Sequence, residues 1–125
     1  MTRPTSLPAA DLRSPVADIV SKYFGGDAAF FAQYQAACAA QFPIDLRDGQ
    51  TACDSSNIDA LMRTAHNLKS ILLTLGFAAI SQEAAACEKC SQSGQVSQAQ
   101  ASWNRLARQM QDVLASDALH HPVGT

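Results

Sequence analysis

One stretch of the chain carries apolar residues at alternating steps of three and four. Its members are Ile58, Leu61, Ala65, Leu68, Leu72 and Leu75. This spacing is typical of a helix that turns one apolar face toward neighbouring helices. Two later segments repeat the pattern, with members at Ile80, Ala84, Cys87 and Ser91 and at Ala99, Trp103, Leu106, Met110 and Val113. The pattern therefore predicts helices that pack side by side around a shared core.

Residues that favour helix ends divide the first half of the chain. Pro15 suits the first turn of a short helix, and Asp27 can cap the start of a second helix. Pro43 is expected to stop that second helix, because proline lacks the backbone N–H that a helix interior needs. Residues 43–57 lose the helical spacing and gather turn formers, so we expect a connection there.

Glycines at Gly76 and Gly94 predict tight turns between the last three helices. The chain is rich in Ala and Gln and has no β-branched runs, which favours helices over strands. We therefore predict an all-α fold, an antiparallel four-helix bundle with a short additional N-terminal helix. The bundle domain is expected over residues 15–117, after a flexible N-terminal arm over 1–14 and before a frayed C-terminal tail over 118–125.

Charge and hydropathy argue against two classes of partner. The formal net charge is -2, and no long basic block is present, so nucleic acid is not an expected partner. The longest apolar run, ILLTLGFAAI, is far shorter than the roughly 20 residues that span a bilayer, and the N-terminus has no secretion signal. We therefore expect a cytoplasmic protein without a membrane partner.

Cys87 and Cys90 form a C-x-x-C pair, a spacing that in other proteins binds zinc or exchanges disulfides. No second C-x-x-C pair exists, and Cys87 falls on the predicted apolar face. We therefore expect reduced thiols in a helical core and no metal site. A role for the pair stays open.

His66 lies on the flank of the predicted apolar face, with Lys69 one helical turn later. His66 is ten residues before Gly76 and Glu88 is twelve after it, so a hairpin at that glycine brings both to about the same height. A carboxylate that accepts from Nδ1–H fixes the ring tautomer and leaves the Nε2 lone pair facing outward. Lys69, with help from Lys89, could then neutralise a phosphoryl group on Nε2.

These residues resemble the histidine-containing phosphotransfer domain family. Its motif, H-x-[LI]-K-G with a glycine ten residues after the histidine, is matched by His66, Leu68, Lys69 and Gly76. The resemblance extends over about residues 16–116, and Glu88 stands at the position where the family commonly has a ring-orienting Glu or Gln. The chain departs from the motif at Ser70, where the family usually has glycine, and at Leu73, where it often has a small residue.

The resemblance implies a phosphorelay intermediate. His66 would accept a phosphoryl group from an aspartyl phosphate and pass it to another receiver aspartate, with Lys69 as charge support and Glu88 orienting the ring. The implied partners are response-regulator receiver domains and a hybrid sensor histidine kinase. The chain would be a monomeric phosphocarrier and not an enzyme with its own kinase activity; it would bind no cofactor, and Mg²⁺ is expected on the receiver.

A partner surface is expected on the flank around His66. Its predicted members are Met62, Ser70, Leu73, Ala84 and Lys89. Two alternatives stay open. The chain could be a binding module that sequesters a receiver domain or histidine kinase without carrying phosphate, or a purely structural helical bundle.

Overall fold

The computed structural model describes residues 13–116 and 118–119. Within them the chain forms five helices and no strand, which confirms the all-α prediction. The helices are α1 (Val16–Tyr23), α2 (Ala28–Asp54), α3 (Ile58–Thr74), α4 (Ala78–Gln92) and α5 (Val96–Ala115). Three short connections, residues 55–57, 75–77 and 93–95, join the last four helices, so each helix runs antiparallel to the one before it. None of the five helices combines the length and hydropathy that a membrane span needs.

The predicted apolar faces of α3, α4 and α5 form the core. Their fully or almost fully buried members are Leu61, Ala65, Leu68, Leu72, Leu75, Ile80, Ala84, Cys87, Ala99, Trp103, Leu106, Met110 and Val113. Ile58, the first member on α3, is half-buried. Phe31, Cys38 and Phe42 of α2 complete the same core. The spacing read from the sequence therefore identified the buried side of each helix.

The second helix does not stop at Pro43, contrary to the prediction. It continues to Asp54 and is 27 residues long, so the expected connection over residues 43–57 shrinks to residues 55–57. Pro43 itself is exposed. The helix persists because its buried side continues past the proline, where Gly49, Ala52 and Cys53 are all buried. Packing outweighs the local cost of proline.

Position 49 of α2 is a glycine because the core leaves no room for a side chain there. A Cβ at this position would overlap the six-membered ring of Trp103. The indole N–H of Trp103 donates to Oε1 of Gln50 at 3.1 Å, so the ring is anchored beside the glycine. The local sequence pattern indicates a turn former at Gly49, whereas in the fold this glycine admits a fully buried indole.

The inner ends of the predicted arm and tail, residues 13–14 and 118–119, contact the bundle. The backbone N–H of Ser14 donates to Gly76 O at 2.9 Å, and Leu119 is buried. Arg13 donates to Leu75 O at 2.8 Å and to Ala118 O at 2.9 Å. Its burial lowers the pKa of the guanidinium to about 10. Residues 1–12, 117 and 120–125 lie outside the described residues.

The turn between α3 and α4 sets the register of the functional helices. Gly76 has φ 92°, a left-handed conformation that favours glycine. The N–H of Gly76 donates to Leu73 O at 3.0 Å, and that of Phe77 donates to Leu72 O at 2.9 Å, which closes the end of α3. A Cβ on Gly76 would also overlap Ile19 of α1. The turn is thus fixed both by its own hydrogen bonds and by α1.

Candidate functional site

The hairpin of α3 and α4 brings His66 and Glu88 together. Nδ1 of His66 lies 2.6 Å from Oε2 of Glu88. The His66 side chain is 61% exposed, whereas that of Glu88 is 11% exposed. The ring is therefore held at one edge by a largely buried group, while most of its surface faces solvent.

The second carboxylate oxygen of Glu88 binds Lys69. Nζ of Lys69 donates to Oε1 at 2.7 Å, so the ammonium and the imidazole contact different oxygens of one side chain. The hydrogen bond from Lys69 lowers the pKa of the Glu88 carboxyl; burial opposes that effect, and the contact with His66 adds to it. Glu88 is therefore ionised at neutral pH.

An ionised carboxylate can only accept hydrogen bonds, so the proton of the neutral imidazole must lie on Nδ1. The lone pair is then on Nε2, the ring nitrogen opposite the one that Glu88 holds. Because the ring is mostly exposed, a reactant on another molecule can reach it. The arrangement supplies an oriented nitrogen nucleophile at the bundle surface.

Lys69 is paired with the same carboxylate that holds the histidine ring. Its ammonium forms an ion pair with Glu88, and its predicted support of a phosphoryl group on His66 stays a prediction. The backbone of the same residue is also held, since Oγ of Ser81 on α4 donates to Lys69 O at 2.7 Å. Ser81 is buried and was not singled out from the sequence. Ser81 follows Ile80, a member of the apolar face of α4, so it also lies toward the other helix of the hairpin. This position next to the apolar face could have identified Ser81 from the sequence.

A cleft of about 380 Å³ lies beside the histidine, between α3 and α4. It is lined by Met62, Arg63, His66, Asn67, Glu88 and Gln92. Of these residues, Arg63, Asn67 and Gln92 were not predicted. Arg63 is three positions before His66, and Gln92 is four after Glu88, so helical spacing from the two predicted residues could have identified both.

The predicted partner-surface residues fall into two groups. Ser70, Leu73 and Lys89 are exposed and Met62 is half-buried, so their side chains can reach another molecule. Ala84 has no exposed surface, and its assignment to the partner surface is wrong. It belongs to the apolar face of α4, where it packs inside the hairpin and not on its flank.

Leu73 borders a second groove, at the junction of α1 with the turn between α3 and α4. This groove has a volume of about 350 Å³, and Lys22 and Tyr23 of α1 line it together with Leu73. Leu73 is 47% exposed, unusually high for a leucine on a helix that otherwise buries its leucines.

The thiols of the C-x-x-C pair lie at different depths. Cys87 is fully buried and Cys90 half-buried, and both are free thiols. Burial raises the pKa of Cys87 to about 12, which disfavours the thiolate that metal binding or disulfide exchange needs. In the part of the chain that the structure describes, no group of three or more His, Cys, Asp or Glu residues could hold a metal ion.

In a comparison with protein families, the model of the Hpt domain matches residues 33–116 of the chain. The chain belongs to the Hpt domain family. The matched range contains His66, Lys69 and Glu88 and runs from α2 to the end of α5. No curated protein and no solved structure matches the chain.

Hpt domains are phosphocarrier modules of two-component signalling, and they are not kinases. They take part in phosphorelays together with receiver domains and histidine kinases. Membership of the family therefore gives this chain a role in histidine phosphotransfer. The bundle described above is the helical fold typical of such domains.

Proposed function

We propose that this Hpt domain carries a phosphoryl group on Nε2 of His66. The group comes from an aspartyl phosphate on a receiver domain, either of a response regulator or of a hybrid sensor histidine kinase, and passes to an aspartate of another receiver. The observation that carries this proposal is the 2.6 Å contact between Nδ1 of His66 and Glu88, made by a ring that is 61% exposed.

Transfer exchanges one bond to phosphorus for another. The Nε2 lone pair attacks the phosphorus atom, the bond from phosphorus to the aspartate oxygen breaks, and the aspartate leaves as a carboxylate. The proton on Nδ1 stays in place, so the ring gains positive charge as the N–P bond forms. Glu88, held ionised by Lys69, offsets that charge and keeps the ring in the attacking orientation.

The remaining chemical groups would come from the partner. Mg²⁺ and the reacting carboxylate would lie on the receiver domain, since this chain contributes the nucleophile and its support. We propose that the chain acts as a monomer and needs no nucleotide. A cytoplasmic location, where receiver domains would meet it, stays a prediction.

The partner surface would comprise the accessible side chains on the flank of the histidine, namely the half-buried Met62 and the exposed Ser70, Leu73 and Lys89. Met62 and Leu73 would supply apolar contacts, and Ser70 and Lys89 polar ones. A small patch of this kind suits a transient complex that must release its partner after transfer.

Phosphotransfer from a labelled receiver domain tests the proposal. A receiver carrying radiolabelled aspartyl phosphate is mixed with the full chain, and the label is expected on the chain in an acid-labile, alkali-stable form. His66→Gln should abolish it. The chain has three histidines, so a variant with both His120→Gln and His121→Gln is the matched control and should be labelled normally. A folded chain that binds the receiver without taking label would instead be a sequestering module.

A further inference from the structure

The cation that contacts Glu88 is not free for a phosphoryl group on His66. Glu88 carries one negative charge and Lys69 one positive charge, and they are paired at 2.7 Å. A phosphoryl group on His66 would bring further negative charge, close to -2 at neutral pH. The Lys69 ammonium cannot neutralise it without weakening its hold on Glu88. Another positive side chain should therefore serve the phosphoryl group.

Arg63 is placed to do so. It lies on α3 one helical turn before His66 and lines the same cleft of about 380 Å³. Its side chain makes no hydrogen bond or ion pair with any other described residue, and Asp59, four positions earlier, does not pair with it. Its guanidinium is thus available, and its planar fork matches the geometry of phosphoryl oxygens better than an ammonium does.

Two amides complete the lining of the cleft. Asn67 follows His66 on α3, and Gln92 lies one turn after Glu88 on α4. Neither side chain is engaged in a hydrogen bond within the described residues. Both are exposed and can turn an NH₂ group toward an oxygen in the cleft. Lys89 is also exposed and uncommitted, but it is not part of the lining.

We propose that Arg63 binds the phosphoryl group on His66, with Asn67 and Gln92 as additional hydrogen-bond donors. The inference rests on the proposed phosphorylation of His66. The two cations of α3 then have different roles, since Lys69 keeps Glu88 ionised and in place while Arg63 contacts the phosphoryl oxygens. Arg63 thereby stabilises the phosphorylated form of the chain.

A small phosphoryl donor separates this role from docking of a receiver. Phosphoramidate can phosphorylate His66 directly, since the P–N bond of the donor breaks, ammonia leaves and the bond to Nε2 forms. The phosphorylated chain is then titrated by ³¹P NMR. A guanidinium in contact with the phosphoryl oxygens should lower the pKa of the phosphoryl group, so Arg63→Gln should raise it by roughly half a unit to one unit.

Two further variants make the comparison specific. Arg63→Lys keeps the charge but loses the fork, so an intermediate pKa is expected. Arg108→Gln removes an exposed arginine of α5, a helix that does not line the cleft, and should leave the pKa of the phosphoryl group unchanged. Circular dichroism checks that each variant is folded, as expected for exposed positions.

The outcomes distinguish the two proposals. If the wild-type chain takes label on His66 and Arg63→Gln titrates like wild type, the inference on Arg63 is wrong and the proposed function stands. If Arg63→Gln slows transfer from a receiver but leaves the pKa of the phosphoryl group unchanged, Arg63 contacts the receiver and not the phosphoryl group. The inference is then again wrong. If neither phosphoramidate nor a receiver labels His66, the proposed function fails and the inference fails with it.

Discussion

Glu88 accepts a hydrogen bond from Nδ1–H of His66 at 2.6 Å, across 22 residues of sequence. The other oxygen of the same carboxylate accepts from Lys69. One largely buried side chain on α4 therefore controls both the tautomer of the exposed ring and the position of the nearest ammonium. The reactivity of the histidine depends on the hairpin register as much as on the histidine itself.

Removing the Glu88 side chain should slow phosphotransfer without unfolding the protein. In Glu88→Ala the ring loses the acceptor that fixes its tautomer, and we expect the initial rate of labelling to fall roughly tenfold or more. Glu88→Gln retains an acceptor for Nδ1–H and should lose less. The rate is measured with a phosphorylated receiver. Glu83→Ala, which removes another carboxylate from α4, is the control, and an equal loss there would contradict the assignment.

Lys69→Met should shift the titration of Glu88 toward higher pH. The Lys69 hydrogen bond is the main cause of the lowered pKa of Glu88, and burial acts in the opposite direction. Without the lysine, the pKa should rise toward its usual value of 4.5, because burial is then opposed only by the contact with His66. The carboxyl ¹³C signal of Glu88 followed against pH measures it. Lys89→Met, which changes the adjacent exposed lysine, should leave the pKa unchanged.

The same shift predicts a pH dependence of stability. The folded-state pKa of Glu88 is lower than in the unfolded chain, so its ionisation stabilises the fold above about pH 4.5, and this contribution is lost as the pH falls through the folded-state value. Glu88→Gln has no carboxyl group to titrate at this position, so its free energy of unfolding should fall less than that of the wild type as the pH is lowered. Urea unfolding of both proteins between neutral and acid pH measures the difference. Equal curves would mean that the pair contributes nothing.

Substitution of two adjacent leucines should have different effects on receiver binding and on stability. Leu73 is 47% exposed, and Leu72 is fully buried. Leu73→Ala should change the free energy of unfolding by less than about 0.5 kcal/mol and weaken receiver binding. Leu72→Ala should cost about 2–5 kcal/mol in the same measurement. Urea denaturation and calorimetric titration with a receiver measure the two effects, and undiminished binding by Leu73→Ala would remove it from the partner surface.

The contact between His66 and Glu88 could be predicted because it depends on regular quantities. Helical rise is constant, Gly76 marks the turn, and the two residues are nearly equidistant from it. The partner of Lys69 could not be predicted in the same way. Whether a flexible lysine reaches a carboxylate or solvent depends on side-chain packing and burial, which helical spacing does not encode.

The path of α2 was mispredicted for a related reason. Pro43 and Gly49 both lower helix propensity, and local rules therefore indicated a connection. The structure has a helix because Gly49 makes space for the indole of Trp103, a residue 54 positions later in the chain. A contact between residues so distant in sequence has no signature in the local pattern, so only the fold could identify this glycine as a packing residue.

Gly49→Ala should therefore lower the free energy of unfolding, although the same substitution usually raises it in a helix. In an exposed helix, alanine is more favourable than glycine by about 0.8–1.0 kcal/mol. Here the added methyl group would overlap the Trp103 ring, and the core must shift to admit it. We expect a loss of about 1–3 kcal/mol in the free energy of unfolding, together with a change in the fluorescence of the single tryptophan. Thr51→Ala, an exposed position on the same helix, is the control. A gain in stability for Gly49→Ala would show that the indole does not pack against this glycine.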